Sequence, residues 1–126
     1  MIQLKELFFG TAGIPLSAEP RTTIDGIKHV KKLGLGAMEL EFVRSVNISK
    51  EKAPEVRKAA QENGIILTCH APYFINLNSL EKAKVEASIG RILNSARILN
   101  SCGGCSVCFH AGFYMGQEPK KTYDAV

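Results

Sequence analysis

The segments 65-IILTCHAPYF-74 and 105-CSVCFHAGFY-114 each run from apolar residues to a histidine, then alanine, then proline or glycine, then two aromatic residues. Their histidines, His70 and His110, stand 40 positions apart, which is room for one strand, loop and helix. Short, nearly continuous apolar runs are typical of parallel strands buried on both faces. Each histidine is predicted to be the last residue of its strand. Sites in parallel α/β proteins lie at the carboxyl ends of strands, so we expect the histidines about 5 to 10 Å apart at one end of one sheet.

The rest of the chain repeats this alternation of a short apolar run and a helical pattern. Apolar runs at 7–13, 37–43, 65–70 and 105–110 precede helical patterns at 23–33, 49–63, 80–101 and from 118 onward. A βα unit repeated four times predicts a parallel sheet covered by helices. With no linker or low-complexity segment in view, we expect one structural unit over residues 1–126.

Two architectures share this alternation: a flavodoxin-like open sheet and half of an eight-stranded barrel. The last pattern stops at Val126 in the middle of a helix, and a complete domain seldom stops there. We therefore expect an α/β fold made of four βα units of a TIM (β/α)8 barrel, as the N-terminal half of a truncated or longer protein.

Composition favours a globular protein, with 45% hydrophobic and 22% charged residues among 126. No apolar run approaches the roughly 18 residues that a spanning helix needs. The N-terminal residues carry charges where a signal peptide has an apolar centre. We expect a cytoplasmic protein without a membrane partner. The net charge of +4 is mild and spread along the chain, so charge alone favours solubility over a nucleic-acid footprint.

Three cysteines in 101-SCGGCSVC-108 follow a C-x2-C-x2-C pattern that could indicate a metal cluster. Strand alternation, however, places Cys108 on the face of His110 and Cys105 on the opposite face. Structural zinc also requires four ligands, usually in paired knuckles, and no second pair is present. We therefore interpret these residues as reduced core cysteines.

At 70-HAPYFINLNS-79 and 109-FHAG-112 the chain resembles the endonuclease IV family of abasic-site DNA repair enzymes, which belongs to the xylose-isomerase-like TIM barrels. In that family the third strand ends in a histidine followed by Tyr-(Leu/Phe)-Ile-Asn-Leu, and the fourth ends in Phe-His-Pro-Gly. The resemblance implies that His70 and His110 bind metal in a site of up to three zinc ions. This chain would supply only part of the ligands.

The resemblance also implies that Tyr73, Asn76 and Arg44 contact DNA that contains abasic sites. The implied activity is that of an apurinic/apyrimidinic endonuclease of the deoxyribonuclease IV type, which hydrolyses phosphodiesters in base excision repair with zinc as Lewis acid. It belongs to the parent protein, and whether this chain alone is active stays open. No residue is assigned as catalytic.

Some residues depart from that family and favour an alternative. The run 8-FFGTAG-13 lacks a histidine, and 111-AGFY-114 stands in place of Pro-Gly-Ser-His. Glu39 and Glu41 share one face of the second strand, either inside the barrel or at its rim. They are more similar to the metal-dependent sugar isomerases and epimerases of the same superfamily, which is the alternative function.

Four βα units also leave unpaired strand edges, which favour association with another chain. In a third hypothesis the chain is not an enzyme by itself. If the 126 residues are complete, we expect a homodimer that closes an eight-stranded barrel.

Overall fold

Four short parallel strands alternate with four helices over residues 6–126, the part of the chain that the computed structural model describes. The elements are β1 (Gly10–Ala12), α1 (Thr23–Lys32), β2 (Ala37–Glu41), α2 (Ala53–Asn63), β3 (Ile66–His70), α3 (Lys82–Ser101), β4 (Ser106–Cys108) and α4 (Pro119–Ala125). The strands form one sheet in the order β1-β2-β3-β4, and every neighbouring pair is parallel. The fold is α/β and matches a partial TIM barrel, as predicted. Residues 1–5 of the predicted unit lie outside the described residues.

The first helix begins and ends where local sequence signals place it. The hydroxyl of Thr22 accepts a hydrogen bond from the backbone N–H of Asp25 at 3.2 Å, which caps the amino end. Ile27 and Val30 are fully buried and hold the helix against the sheet. The chain then turns at Gly34, whose φ of 75° is favourable only for glycine.

The second helix begins at Ala53, four residues later than the sequence predicted. Pro54 lies in its first turn, the only part of a helix where the proline ring and the missing N–H are tolerated. The backbone N–H groups of Lys52 and Ala53 instead donate to the carbonyl of Ser49, at 3.1 and 3.0 Å. The residues between Ser49 and Ala53 therefore form turns rather than the predicted first helical turn.

Strand alternation divides the sheet into an apolar face and a polar face. Met38 and Leu40 of β2, with Leu67 and Cys69 of β3, are buried in the hydrophobic core beneath the helices. The intervening residues of both strands are half-buried and lie on the opposite face: Ala37, Glu39, Glu41, Ile66, Thr68 and His70. The structure thus places both predicted carboxylates on the face that a closed barrel would enclose.

The four cysteines are free, but only two of them are in the core. Cys69 and Cys102 are fully buried, and burial raises the pKa of their thiols to about 12 and about 11, respectively. Cys105 and Cys108 are exposed, so the prediction that they are core residues is wrong. Within residues 6–126, β4 is an outer strand with a single neighbour, so the polar face that bears Cys108 is uncovered, and Cys105 lies just before the strand begins.

The fourth strand is also shorter than predicted, because it ends at Cys108. His110 is therefore exposed and lies two residues beyond the strand, whereas His70 is the last residue of β3 as expected. The Cys108 carbonyl accepts a hydrogen bond from the backbone N–H of Ala71, directly after β3, at 2.8 Å. Within residues 6–126, no helix has the length and apolar character needed to cross a membrane.

Candidate functional site

Two imidazoles meet at the carboxyl end of the sheet. The ring centroids of His70 and His110 lie 5.1 Å apart, and the ring planes are inclined by 47°. The separation falls within the range predicted from the strand spacing. Parallel pairing of β3 with β4, in which His70 is the partner of Cys108, brings the rings together from positions far apart in the chain.

One hydrogen bond sets the tautomer of His70. Its Nδ1 lies 2.9 Å from the backbone carbonyl oxygen of Ala71. A carbonyl oxygen can only accept, so Nδ1 carries the proton and donates it. The lone pair of a neutral His70 ring is then on Nε2, which is left available for a cation. Histidines that bind metals are commonly oriented by such a bond from the other ring nitrogen.

The two carboxylates of β2 lie beside the histidine pair. In the register of β2 and β3, Glu41 is the partner of His70 and Glu39 is the partner of Thr68. Burial raises the pKa of Glu41 above its ordinary value, and the neighbouring Glu39 raises it further, while His70 acts in the opposite direction. This part of the site therefore combines imidazole nitrogens with a carboxyl group that retains its proton more readily than usual.

The histidine pair fits zinc only in part. Two imidazoles that share one tetrahedral zinc ion, with Zn–N bonds of about 2.0–2.1 Å, have ring centroids about 5 Å apart, as these do. Among residues 6–126, however, no group of three or more histidine, cysteine, aspartate or glutamate side chains converges as a metal site does. The pair can contribute two ligands to a site that needs three or four.

A cleft of about 620 Å³ adjoins the carboxylates, between β2 and the loop that follows β1. Glu39 and Glu41 line one side of it, and Thr11, Arg21 and Asn47 bring further polar groups. The sequence analysis assigned no role to Arg21. Its position directly before the helix-capping Thr22 is a signal that could have pointed to it, because loops that lead into helices line the sites of such folds.

An aromatic pair stands on the loop after β3. Tyr73 and Phe74 are 44% and 53% exposed, and their ring centroids are 4.4 Å apart. The backbone N–H of Tyr73 donates to the carbonyl of Val43 at 3.2 Å, which ties this loop to the one after β2. Arg44, which is exposed, follows Val43 directly. The structure therefore brings Tyr73 and Arg44, both predicted DNA contacts, onto adjoining loops.

Asn76, the third predicted DNA contact, is engaged within the protein. Its side-chain oxygen accepts hydrogen bonds from the backbone N–H groups of Asn78 and Phe113, at 3.1 and 3.2 Å. Its amide nitrogen lies 3.6 Å from the sulfur of Met115. A contact between Asn76 and DNA stays a prediction, and its polar atoms already connect two loops.

One protein family and one individual relative each match most of this chain. The family described as "Xylose isomerase-like TIM barrel" matches residues 27–126. The uncharacterized protein MJ0133 of Methanocaldococcus jannaschii is 42% identical over 120 residues, an alignment that covers 95% of this chain and 42% of that protein. The chain thus spans less than half the length of this relative.

Solved structures of two kinds of enzyme share the fold. Endonuclease IV from Thermus thermophilus superposes with a TM-score of 0.70 at 18% identity, over 94% of this chain and 44% of that one. D-psicose 3-epimerase crystallised in the presence of D-fructose superposes with a TM-score of 0.72 at 22% identity, over 92% of this chain and 43% of that one. The D-psicose 3-epimerase of Clostridium cellulolyticum with D-tagatose superposes with a TM-score of 0.74 at 16% identity, over 94% of this chain and 44% of that one. At these identities the likeness shows the fold alone.

Proposed function

This chain belongs to the xylose isomerase-like TIM barrel family, and from that premise we propose that it forms the N-terminal half of a metal-dependent abasic-site DNA endonuclease. The observation that carries the proposal is the 5.1 Å pair of His70 and His110 beside a rim that bears Tyr73, Phe74 and Arg44. Imidazoles suit a metal-assisted hydrolase, and an exposed aromatic rim with a cation suits DNA.

In this proposal His70 and His110 hold a divalent cation, with zinc as the expected ion. When bound, zinc supplies Lewis acidity toward a phosphodiester. The Ala71 carbonyl keeps the proton of His70 on Nδ1, and so leaves the lone pair of Nε2 available to a cation. The two histidines cannot complete the coordination alone, so the remaining ligands come from outside the described residues.

The rim would recognise the missing base. An abasic nucleotide has no base to unstack, so its extrusion from the duplex costs less than that of an intact nucleotide. Tyr73 and Phe74 are exposed and already in contact with each other, and either ring can stack on the bases that flank the gap. The guanidinium of Arg44, on the adjoining loop, would contact a phosphate.

Binding of an abasic duplex tests this proposal independently of cleavage, which a partial site need not perform. We expect the chain to bind a fluorescein-labelled duplex with one tetrahydrofuran abasic analogue more tightly than the same intact duplex. The Tyr73→Ala/Phe74→Ala variant should lose that difference. Phe9→Ala is the matched control, since Phe9 is 69% exposed and directly precedes β1, at the opposite end of the sheet. Equal affinity of the wild-type chain for both duplexes would contradict the proposal.

A sugar isomerase or epimerase is the second candidate, and the cleft beside β2 favours it. Its 620 Å³ volume suits a small ligand, and Glu39, Glu41 and Arg21 could bind hydroxyl groups or move a proton next to a carbonyl. Calorimetric titration with D-fructose and D-tagatose in the presence of Mn²⁺ separates the two functions. Binding that disappears in Glu39→Gln/Glu41→Gln, with no preference for abasic DNA, would favour the epimerase.

We also propose that four further βα units complete the barrel, from the same polypeptide or from a second copy. The outer strands β1 and β4 each have one neighbour within the described residues, so each leaves an edge of unpaired backbone groups. Light scattering after size exclusion gives the answer for this chain. A mass near twice 13.7 kDa supports closure by a second copy, and a monodisperse 13.7 kDa particle contradicts closure by a second copy.

A further inference from the structure

Two asparagines of the loop after β3 hold the loop after β4 in place. The side-chain oxygen of Asn76 accepts from the backbone N–H of Phe113 at 3.2 Å. The side-chain nitrogen of Asn78 donates to the backbone carbonyl of Phe113 at 2.8 Å. The backbone N–H and carbonyl of one residue are thus bound by two amides two positions apart, an arrangement that we call the asparagine clasp.

Asn78 is the buried member of the clasp and links it to the last helix. Asn78 is only 5% exposed, and its side-chain nitrogen also lies within 3.5 Å of the Tyr114 carbonyl and 3.4 Å of the Thr122 hydroxyl of α4. The backbone N–H of Leu77 adds a bond of 2.8 Å to the Ala111 carbonyl. A buried amide that lost these partners would be left without hydrogen bonds, which destabilises the fold. The two loops are therefore held together.

Close approach of the loops requires a glycine. A Cβ atom at Gly112 would lie 2.9 Å from the side-chain oxygen of Asn76 and 3.3 Å from the backbone nitrogen of Asn78. The first of these distances is shorter than a normal contact, so a larger residue would push the loop away from the clasp. The loop after β4 is therefore built to lie against the asparagines.

The clasp fixes a second aromatic pair beside the first. Tyr73 and Phe74 stand three and four positions after His70, and Phe113 and Tyr114 stand three and four positions after His110. The second pair is also exposed, at 58% and 62%. His70 ends β3 and His110 lies two residues beyond β4, yet their rings are 5.1 Å apart, so the two pairs follow on adjoining loops at the same end of the sheet.

We propose that Asn76 and Asn78 are positioning residues, and that the clasped Phe113 and Tyr114 form a second stacking platform for unpaired bases of DNA. The inference rests on the proposed function and names the part of the substrate that this surface binds. Exposed aromatic rings on adjoining loops stack on successive unpaired bases regardless of their sequence. The cation of Arg44, on the loop bonded to that of Tyr73, complements the phosphates of a nucleic acid rather than an apolar peptide.

Matched substitutions test the clasp without DNA. Asn76→Asp keeps the oxygen that accepts from Phe113, whereas Asn78→Asp removes the donor to the Phe113 carbonyl. Both variants add one charge and change no volume. We expect hydrogen exchange in residues 111–117 to become at least about tenfold faster in Asn78→Asp and to stay near the wild-type rate in Asn76→Asp. Equal rates in both variants would overturn the clasp.

The platform is tested with a labelled twelve-residue oligothymidylate, which offers unpaired bases only. Phe113→Ala/Tyr114→Ala should weaken binding by at least about fivefold, and the uncharged variant Asn78→Leu should do the same. Phe9→Ala, directly before β1 at the opposite end of the sheet, should not. If Asn78→Leu does not fold, Phe113→Ala/Tyr114→Ala still tests the platform, because both residues are exposed. Unchanged affinity of that variant for the oligothymidylate would overturn the inference. The aromatic variant could weaken oligothymidylate binding while the wild type shows no preference for abasic duplexes. That result would refute the endonuclease proposal and support the stacking platform.

Discussion

The affinity of the histidine pair for zinc can be predicted from the number of ligands. Structural zinc sites with four protein ligands bind with about 10–16 kcal/mol, or about 2.5–4 kcal/mol per ligand if the ligands contribute equally. The chain presents two imidazoles with a centroid separation that suits one tetrahedral ion, and no third ligand among residues 6–126. Two ligands supply about 5–8 kcal/mol, which corresponds to a dissociation constant between about 1 μM and a few hundred μM.

The perturbation is removal of the imidazoles one at a time and together. His70→Ala or His110→Ala should weaken zinc binding by about 60- to 700-fold, since each removes one ligand of about 2.5–4 kcal/mol. The double variant should bind no zinc in this range. Cys105→Ala/Cys108→Ala is the control, because it removes the two exposed thiols nearest in sequence and leaves both rings. Competition with a chromophoric chelator, under reducing conditions, measures the zinc affinity of the wild type and of all four variants.

Two outcomes would refute this reasoning. Nanomolar binding by the wild-type chain would mean that further ligands converge, contrary to the geometry of the described residues. Zinc that survives loss of both histidines but disappears in Cys105→Ala/Cys108→Ala would move the site to the cysteines. The first outcome would refute the two-ligand estimate, and the second would remove the histidine pair as support for the proposed hydrolase.

The remaining predictions concern stability. Below pH 9 the Cys102 thiol is protonated in both states, and above it the unfolded thiol ionises first, because burial raises the folded pKa to about 11. The free energy of unfolding should therefore fall by up to about 1.4 kcal/mol per pH unit from pH 9 to 11 through this thiol. Urea titrations should show a shallower fall in Cys102→Ala than in the wild-type protein, and an equal fall would contradict this reasoning. Gly112→Ala should destabilise the protein by about 1–3 kcal/mol, because its Cβ would clash with Asn76. Gly90→Ala, in the middle of α3 with no atom within 4 Å of the added Cβ, should stabilise it by about 0.5–1 kcal/mol in the same assay.

Most of the elements could be predicted because strand and helix periodicities are local properties of a sequence. The failures have non-local or steric causes. The ring of Pro54 delays the second helix to Ala53, as a helix tolerates proline only in its first turn. Cys108 is exposed because its strand has a neighbour on one side only among residues 6–126, and no local pattern encodes the position of a strand in a sheet.

The sequence by itself determined four βα units and a motif that recurs after the third and fourth strands, a histidine followed by an aromatic pair. Only the tertiary structure decided what surrounds them. It placed Glu41 beside His70 through the register of β2 and β3, and it joined Asn76 to Phe113, 37 positions later. The physical reason is that a short polar side chain carries no periodic signal for its partner. Burial of the apolar faces of parallel strands sets the register, and the register then selects which polar groups meet.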